Sequence, residues 1–283
     1  MNIENRLKKR ETVAIIGSVS SFIIFAILLA LSNLSTDSFV NMQSYLIKSM
    51  LAGSAENTLS AFFNLISPLF ILFFAVLFLV LGFVFVSSFG VYETKRNTGL
   101  IIGIIGMTAV IVMLRFSILS IFLGIAILCS VFLIMNISNT YFKELKRWKF
   151  FRTGSHSIAK ALIVINILVA LGIFIAISIN LSAYQQSFRK EMSSTIGDMV
   201  VNEMSGFSAV PENMRSAMTE QIRAQIENEV IPNSPLFNAY IIWLPILTAL
   251  SVWVILEFTR TLIYSNLAGA FSVVLIRMNE KLE

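Results

Sequence analysis

From Asn97 to Phe142 the chain runs 46 residues with one charge, Arg115, in the stretch "VIVMLRFSILSIF". As a single α-helix this run would be roughly 70 Å long at 1.5 Å per residue. The hydrocarbon core of a bilayer is about 30 Å thick. The run therefore has to turn back, and Arg115 divides it almost evenly. "TGLIIGIIGMTAVIVML" precedes the arginine and "FSILSIFLGIAILCSVFLIM" follows it. The spacing predicts two membrane helices with Arg115 at the turn, reaching lipid headgroups by snorkelling.

Water would not tolerate the rest of the chain either. Apolar residues make up 57% of it and charged residues 13%, against about 45–50% and about 25% in an average soluble domain. Four more uncharged runs are long enough to cross a bilayer, which needs roughly 20 apolar residues. The expected class is all-α: a polytopic transmembrane bundle of six spans with a small amphipathic helical cap on the extracytoplasmic side. The spans fall at 12–33, 64–88, 98–114, 117–136, 160–181 and 238–257. The first follows "RLKKRE" and could pass for a signal peptide. Its apolar run of about 20 residues exceeds the about 7–15 of a signal core, so it reads as a retained helix.

Lys and Arg set the orientation. Fifteen fall on the side of residues 1–11, 89–97, 137–160 and 258–283, and six on the other. Cytoplasmic segments carry the excess, so both termini are expected in the cytoplasm and Arg115 near the outer headgroups. The same bias accounts for the sequence pI of about 9.4 without nucleic acid. Segment 137–159 reads as a basic, aromatic cytoplasmic loop. Its Lys143, Lys146, Arg147, Trp148, Lys149 and Arg152 suit contact with anionic headgroups.

The outer segments, 34–63 and 182–237, show helical periodicity. Phe39, Met42, Leu46 and Met50 recur on one face, as do Phe188, Met192, Ile196 and Met199, and then Met214, Met218, Ile222 and Ile226. Seven of the twelve methionines lie in these loops. Methionine makes adaptable binding surface, so Met192, Met199, Met214, Met218 and Ile222 are candidates for a partner face. Ordinary packing of amphipathic helices is the plainer reading.

Polar chemistry inside the expected spans is sparse. They hold no Asp, Glu, Lys or His at depth. Asn166 and the helix-interior Pro245 are the candidates for a permeation path or a hinge. Gly99, Gly103 and Gly106 stripe the third span, and Gly99 with Gly103 forms a close-packing GxxxG pair. Ser265, Gly269 and Ser272 form a second small-residue face on 258–283, a segment expected as a cytoplasmic helix at the interface or packed on the bundle. Cys129, the only cysteine, reads as a small buried apolar residue.

Enzyme motifs are missing: no H-E-x-x-H, no cysteine pair and no phosphate loop occur. Neither metal nor cofactor is expected. The pattern implies a non-catalytic scaffold or assembly component of the cell membrane, acting through helix packing and its Met-rich cap. Its partners would be the bilayer and a membrane protein or a second copy. The alternative is a channel or transporter for a small or apolar solute.

Overall fold

The computed structural model describes residues 3–32, 55–92, 96–207 and 212–280. Among these residues the chain is helical throughout, without strands. The helices are α1 (Ile3–Leu31), α2 (Ala55–Gly90), α3 (Arg96–Met113), α4 (Ile118–Glu144), α5 (Lys149–Ile179), α6 (Leu181–Phe207), α7 (Glu212–Gln225), α8 (Pro235–Thr259) and α9 (Ser265–Glu280). A π-turn at Ile226–Val230 carries α7 on to Asn233, and another at Arg260–Tyr264 joins α8 to α9. Among the described residues, five stretches are long and apolar enough to cross a membrane: Glu11–Leu31, Phe70–Gly90, Ile118–Glu144, Lys149–Ile179 and Pro235–Met278. Asn97–Met113 is a shorter apolar helix. The protein is a helical membrane bundle.

Its solvation pattern is the reverse of a soluble protein's. Ser18, Ser87, Ser120, Ser130, Ser138 and Ser157 are fully buried, while Ile16, Phe70, Ile101, Ile167 and Phe258 are exposed. Lipid tails accept isoleucine and phenylalanine, whereas a hydroxyl in hydrocarbon must find its partner inside the protein.

The chain forms two compact units. The first contains residues 1–34, 67–173 and 249–283; the second contains 35–66 and 174–248. In the first, α3 packs along both α4 and α1. Phe22 of α1 is fully buried, edge-on to Phe83 of α2 with ring centroids 5.4 Å apart. Gly82 and Gly106 make room for it: a Cβ at Gly82 would lie 2.4 Å from its ring, and one at Gly106 2.9 Å.

The α3–α4 turn falls where Arg115 divides the run. Arg115 and Phe116 have φ of 55° and 54°, and the Phe116 N–H donates to Ile111 C=O at 3.1 Å. This six-residue closure satisfies a carbonyl of the helix end. Ser117 then caps α4, accepting from the Ser120 N–H at 3.1 Å. Left-handed backbone costs an L-residue roughly 1–2 kcal/mol. Arg115→Gly is therefore expected to stabilise the hairpin by about 1 kcal/mol, read as a higher unfolding midpoint in detergent. An unchanged or lower midpoint would show that the arginine side chain contributes more than its backbone costs.

Two expectations are corrected here. Segment 137–159 is not a loop: α4 runs to Glu144 and α5 starts at Lys149, leaving only residues 145–148 between them. Lys and aromatic residues are good enough helix formers for both helices to grow into the basic stretch. Segment 258–283 takes the packed one of its two expected placements: through Glu280 it continues α8, and Ala268, Ser272 and Ile276 are fully buried. The 44-residue apolar stretch Pro235–Met278 is longer than one crossing requires. Cys129 is exposed on α4 rather than buried.

In the second unit, α6 packs against α7 and the π-turn after it. Phe188, Met192, Ile226, Ile231 and Ile241 are buried together, with Ile196, Ile222, Phe237 and Tyr240 around them. The Phe188 and Tyr240 rings stack 4.9 Å apart. Met192 is thus core, as ordinary helix packing has it, and not partner surface: its stripe faces another helix of the same chain. Ile222 packs on the same core, while Met199 and Met218 are half-buried. The Met214 side chain, and the stripe from Phe39 to Met50, lie outside the described residues.

Candidate functional site

Helix periodicity puts Glu257 and Arg260, three residues apart, on one face of the rod formed by α8 and α9. There they meet α5. The Asn166 amide, 4% exposed, donates through Nδ2 to Glu257 Oε2 at 3.0 Å. Arg260 Nε donates to the same oxygen at 2.9 Å, and its Nη2 donates to Oε1. The Glu257 and Arg260 side chains are 28% and 16% exposed. One carboxylate, one guanidinium and one amide thus form a neutral polar node.

The backbone changes at the same point. The Thr261 hydroxyl takes up the Glu257 C=O at 2.9 Å, and the Ser265 N–H reaches back five residues to Arg260 C=O. Such single π-turns recur at functional sites and kinks. One residue earlier, Tyr264 is buried; its hydroxyl donates to Phe73 C=O of α2 at 3.4 Å. The rod is therefore tied to α5 at Glu257 and to α2 at Tyr264.

Packing register gives the node its height in the first unit. Ser130 Oγ of α4 donates to Ala161 C=O of α5 at 3.0 Å. A Cβ at Gly172 would lie 3.0 Å from Phe122 Cβ. Asn166 falls between these two contacts on α5, in the stretch that packs along Phe122–Ser130 of α4. The sequence expectation ends the sixth span at Glu257 and puts Arg260 beyond it; the helical rod continues through both. A pair of opposite charges at the edge of an apolar run looks like a helix end in a sequence; in three dimensions the run resumes beyond it.

A second polar node is made of hydroxyls. Ser87 Oγ of α2 lies 3.0 Å from Ser138 Oγ of α4 and 3.1 Å from Ser157 Oγ of α5, all fully buried. Ser157 Oγ also donates to Thr153 C=O at 2.7 Å. Next to it α5 and α9 approach so closely that a Cβ at Gly154 would lie 1.8 Å from Ser272 Oγ. Ser157 and Asn166 are nine residues apart, which at 3.6 residues per turn places them on opposite faces of α5. The two nodes do not join.

The residues expected from the sequence distribute as follows. Gly99 meets Met135, Gly103 meets Leu128, and Gly106 meets Phe22 and Ile127, so the stripe of α3 faces α4 and α1 of the same chain. Gly269 lies under the Phe151 ring, and Ser265 and Ser272 are buried beside it on α9. Pro245 is buried inside α8 without ending it. At the α4–α5 turn, Lys143, Lys146, Arg147 and Arg152 are exposed, and Trp148 is 78% exposed with φ of 56°. Lys149 is held by two rings, its Nζ 4.5 Å from the centre of Phe142 and 5.0 Å from that of Phe150. Arg115 is exposed at the opposite end of α4. The sequence reading missed Glu257, Arg260, Gly154 and the serine triad. Comparison with protein families, with curated proteins and with solved structures finds no match.

Proposed function

We propose that this multi-pass membrane protein is a non-catalytic scaffold or assembly component that works through helix packing and passes no solute. The observation that carries the reading is the separation of its interior polar groups. Asn166, Glu257 and Arg260 satisfy one another on one face of α5, and Ser87, Ser138 and Ser157 do so on the other. A permeation path needs continuous wettable lining. Here the contacts between helices are instead filled by Phe22, Leu128, Met135 and Phe151, seated on glycines. The test is reconstitution into liposomes with a panel of ions and small neutral solutes. Flux no faster than in protein-free vesicles is expected; flux that Asn166→Leu abolishes would defeat the scaffold reading in favour of a channel.

The bilayer is the other partner in this reading, with the termini and the α4–α5 turn on the cytoplasmic side against anionic lipid. Support comes from four exposed basic side chains beside a protruding Trp148, each worth about 1 kcal/mol near an anionic surface. In a Trp243→Phe/Trp253→Phe background, brominated anionic lipid is expected to quench Trp148 more than brominated zwitterionic lipid does. Lys146→Gln/Arg147→Gln should remove the difference. Equal quenching by both lipids in the parent protein would remove the anionic preference.

A further inference from the structure

We infer that the face of α5 carrying Arg152, His156 and Lys160 binds one anionic phospholipid, with its phosphate on His156 and Lys160 and an acyl chain along Ile163 and Ile167. The inference rests on the reading above that this end of the bundle meets anionic lipid, and it narrows a general attraction to a single saturable site. It starts from the pattern of exposure along one helix. Arg152, His156, Lys160, Ile163, Ile167 and Leu171 are all exposed. Their spacing of four, four, three, four and four residues keeps them on one face at 3.6 residues per turn. Along that face the chemistry changes from basic to apolar between Lys160 and Ile163, within about 4.5 Å of helix rise. A phospholipid makes the same change between its phosphate and its chains.

The basic half is held in place by the neighbouring helix. Tyr141, near the end of α4, is half-buried; its ring centroid lies 5.8 Å from that of His156 and 5.2 Å from Lys160 Nζ. His156 and Lys160 are one helical turn apart, which brings their Cβ atoms within about 6 Å. Among the described residues neither forms an ion pair or a hydrogen bond, and Glu144, a turn further along α4, pairs with neither. The three N–H donors of the ammonium and the N–H of the imidazole therefore stay available. A lysine at a membrane boundary ordinarily wanders among headgroups on a flexible stem. Here one aromatic ring orders two donors before the ligand arrives, which lowers the entropic cost of binding.

Charge and height select the occupant. A phosphate with an uncompensated negative charge is attracted by Lys160 and by Arg152 two turns above it, whereas a choline headgroup would bring a further cation to a basic face. Ile163 and Ile167 are 36% and 52% exposed, so a chain lying on them sets its own phosphate level with Lys160. Free phosphate has nothing to place on that stripe and gains only the donors.

The test uses the full chain in neutral detergent, with native mass spectrometry counting what stays bound. The probes are dioctanoyl phosphatidylglycerol, dioctanoyl phosphatidylcholine and deacylated glycerophosphoglycerol. One phosphatidylglycerol per chain is expected, held at least tenfold more tightly than phosphatidylcholine and a hundredfold more tightly than glycerophosphoglycerol. His156→Gln/Lys160→Gln should weaken it at least tenfold, and Lys160→Arg should retain it. Tyr141→Leu, which keeps both basic groups and removes the ring, should weaken it severalfold. Lys146→Gln/Arg147→Gln should leave it within twofold. The substituted basic residues are all exposed, and unfolding midpoints without lipid check the fold of each variant. Equal affinity for the two lipids, or a loss caused by the Lys146/Arg147 pair and not by the His156/Lys160 pair, would overturn the site. Glycerophosphoglycerol bound as tightly as the lipid would overturn the lipid as its occupant. Quenching of Trp148 by brominated lipid is read on the same variants. An anionic preference that persists at Trp148 without the site, or vanishes there while the site remains, separates this inference from the reading it rests on.

Discussion

Glu257→Leu is expected to destabilise the protein by about 3 kcal/mol, and Arg260→Leu by a similar amount, whereas the double substitution should cost far less than their sum. Breaking a buried ion pair from one side leaves a charge with no partner, at a typical cost of about 3–5 kcal/mol. The lower end applies because both side chains keep some exposure. Removing both charges removes the orphan. The remaining penalty is the Asn166 amide, 4% exposed and deprived of Glu257. An unsatisfied buried donor costs about 1–3 kcal/mol. Unfolding of the four proteins by SDS titration in mixed micelles closes the cycle. If the two single costs simply add, the charges do not compensate each other and the node is not a pair.

This node also marks where sequence reasoning stopped. The hairpin at Arg115 was legible because length alone forced it: no bilayer accommodates a 70 Å helix as one crossing, to order of magnitude. The all-helical class followed from composition for the same reason. Glu257 and Arg260 were hidden by the rule that located the spans, since a window that ends at the first charge cannot see that "TLIYSNLAGAF" continues the same helix. Asn166 was visible as an oddity, but its partner lies 91 residues away on another helix. At Met192 periodicity identifies an apolar face without saying what covers it, which leaves helix packing and partner surface both open; Tyr240, Ile226 and Ile231 cover it. For Cys129 the error ran the other way, because in an apolar chain burial and lipid contact favour the same residues.

Gly154 shows most sharply how a residue with no sequence signal can control the assembly of the bundle. It lies in "RTGSHS", which reads as part of a polar anchor, yet α5 and α9 pack against each other there with no room for a side chain. Gly154→Ala would put a methyl 1.8 Å from Ser272 Oγ, 2.3 Å from Ser272 Cβ and 3.0 Å from Ala268 C=O. Rotating the serine hydroxyl away relieves the first contact but not the second or third. Either α9 retreats from α5 or one of them bends. Overpacking of this kind typically costs about 1–3 kcal/mol. Gly154→Leu extends the clash to the fully buried Ala268 and is expected to separate α9 from the bundle, costing more than the alanine. Ser272→Gly removes both nearest atoms, so Gly154→Ala/Ser272→Gly should recover most of the loss, less the about 1 kcal/mol that glycine costs inside a helix. Protease protection of α9 and the unfolding midpoint in micelles measure the two effects together. Were Gly154→Leu to leave both unchanged, α9 would not be held at this contact, and the rod would depend on its contacts at Asn166, Phe73 and Phe151.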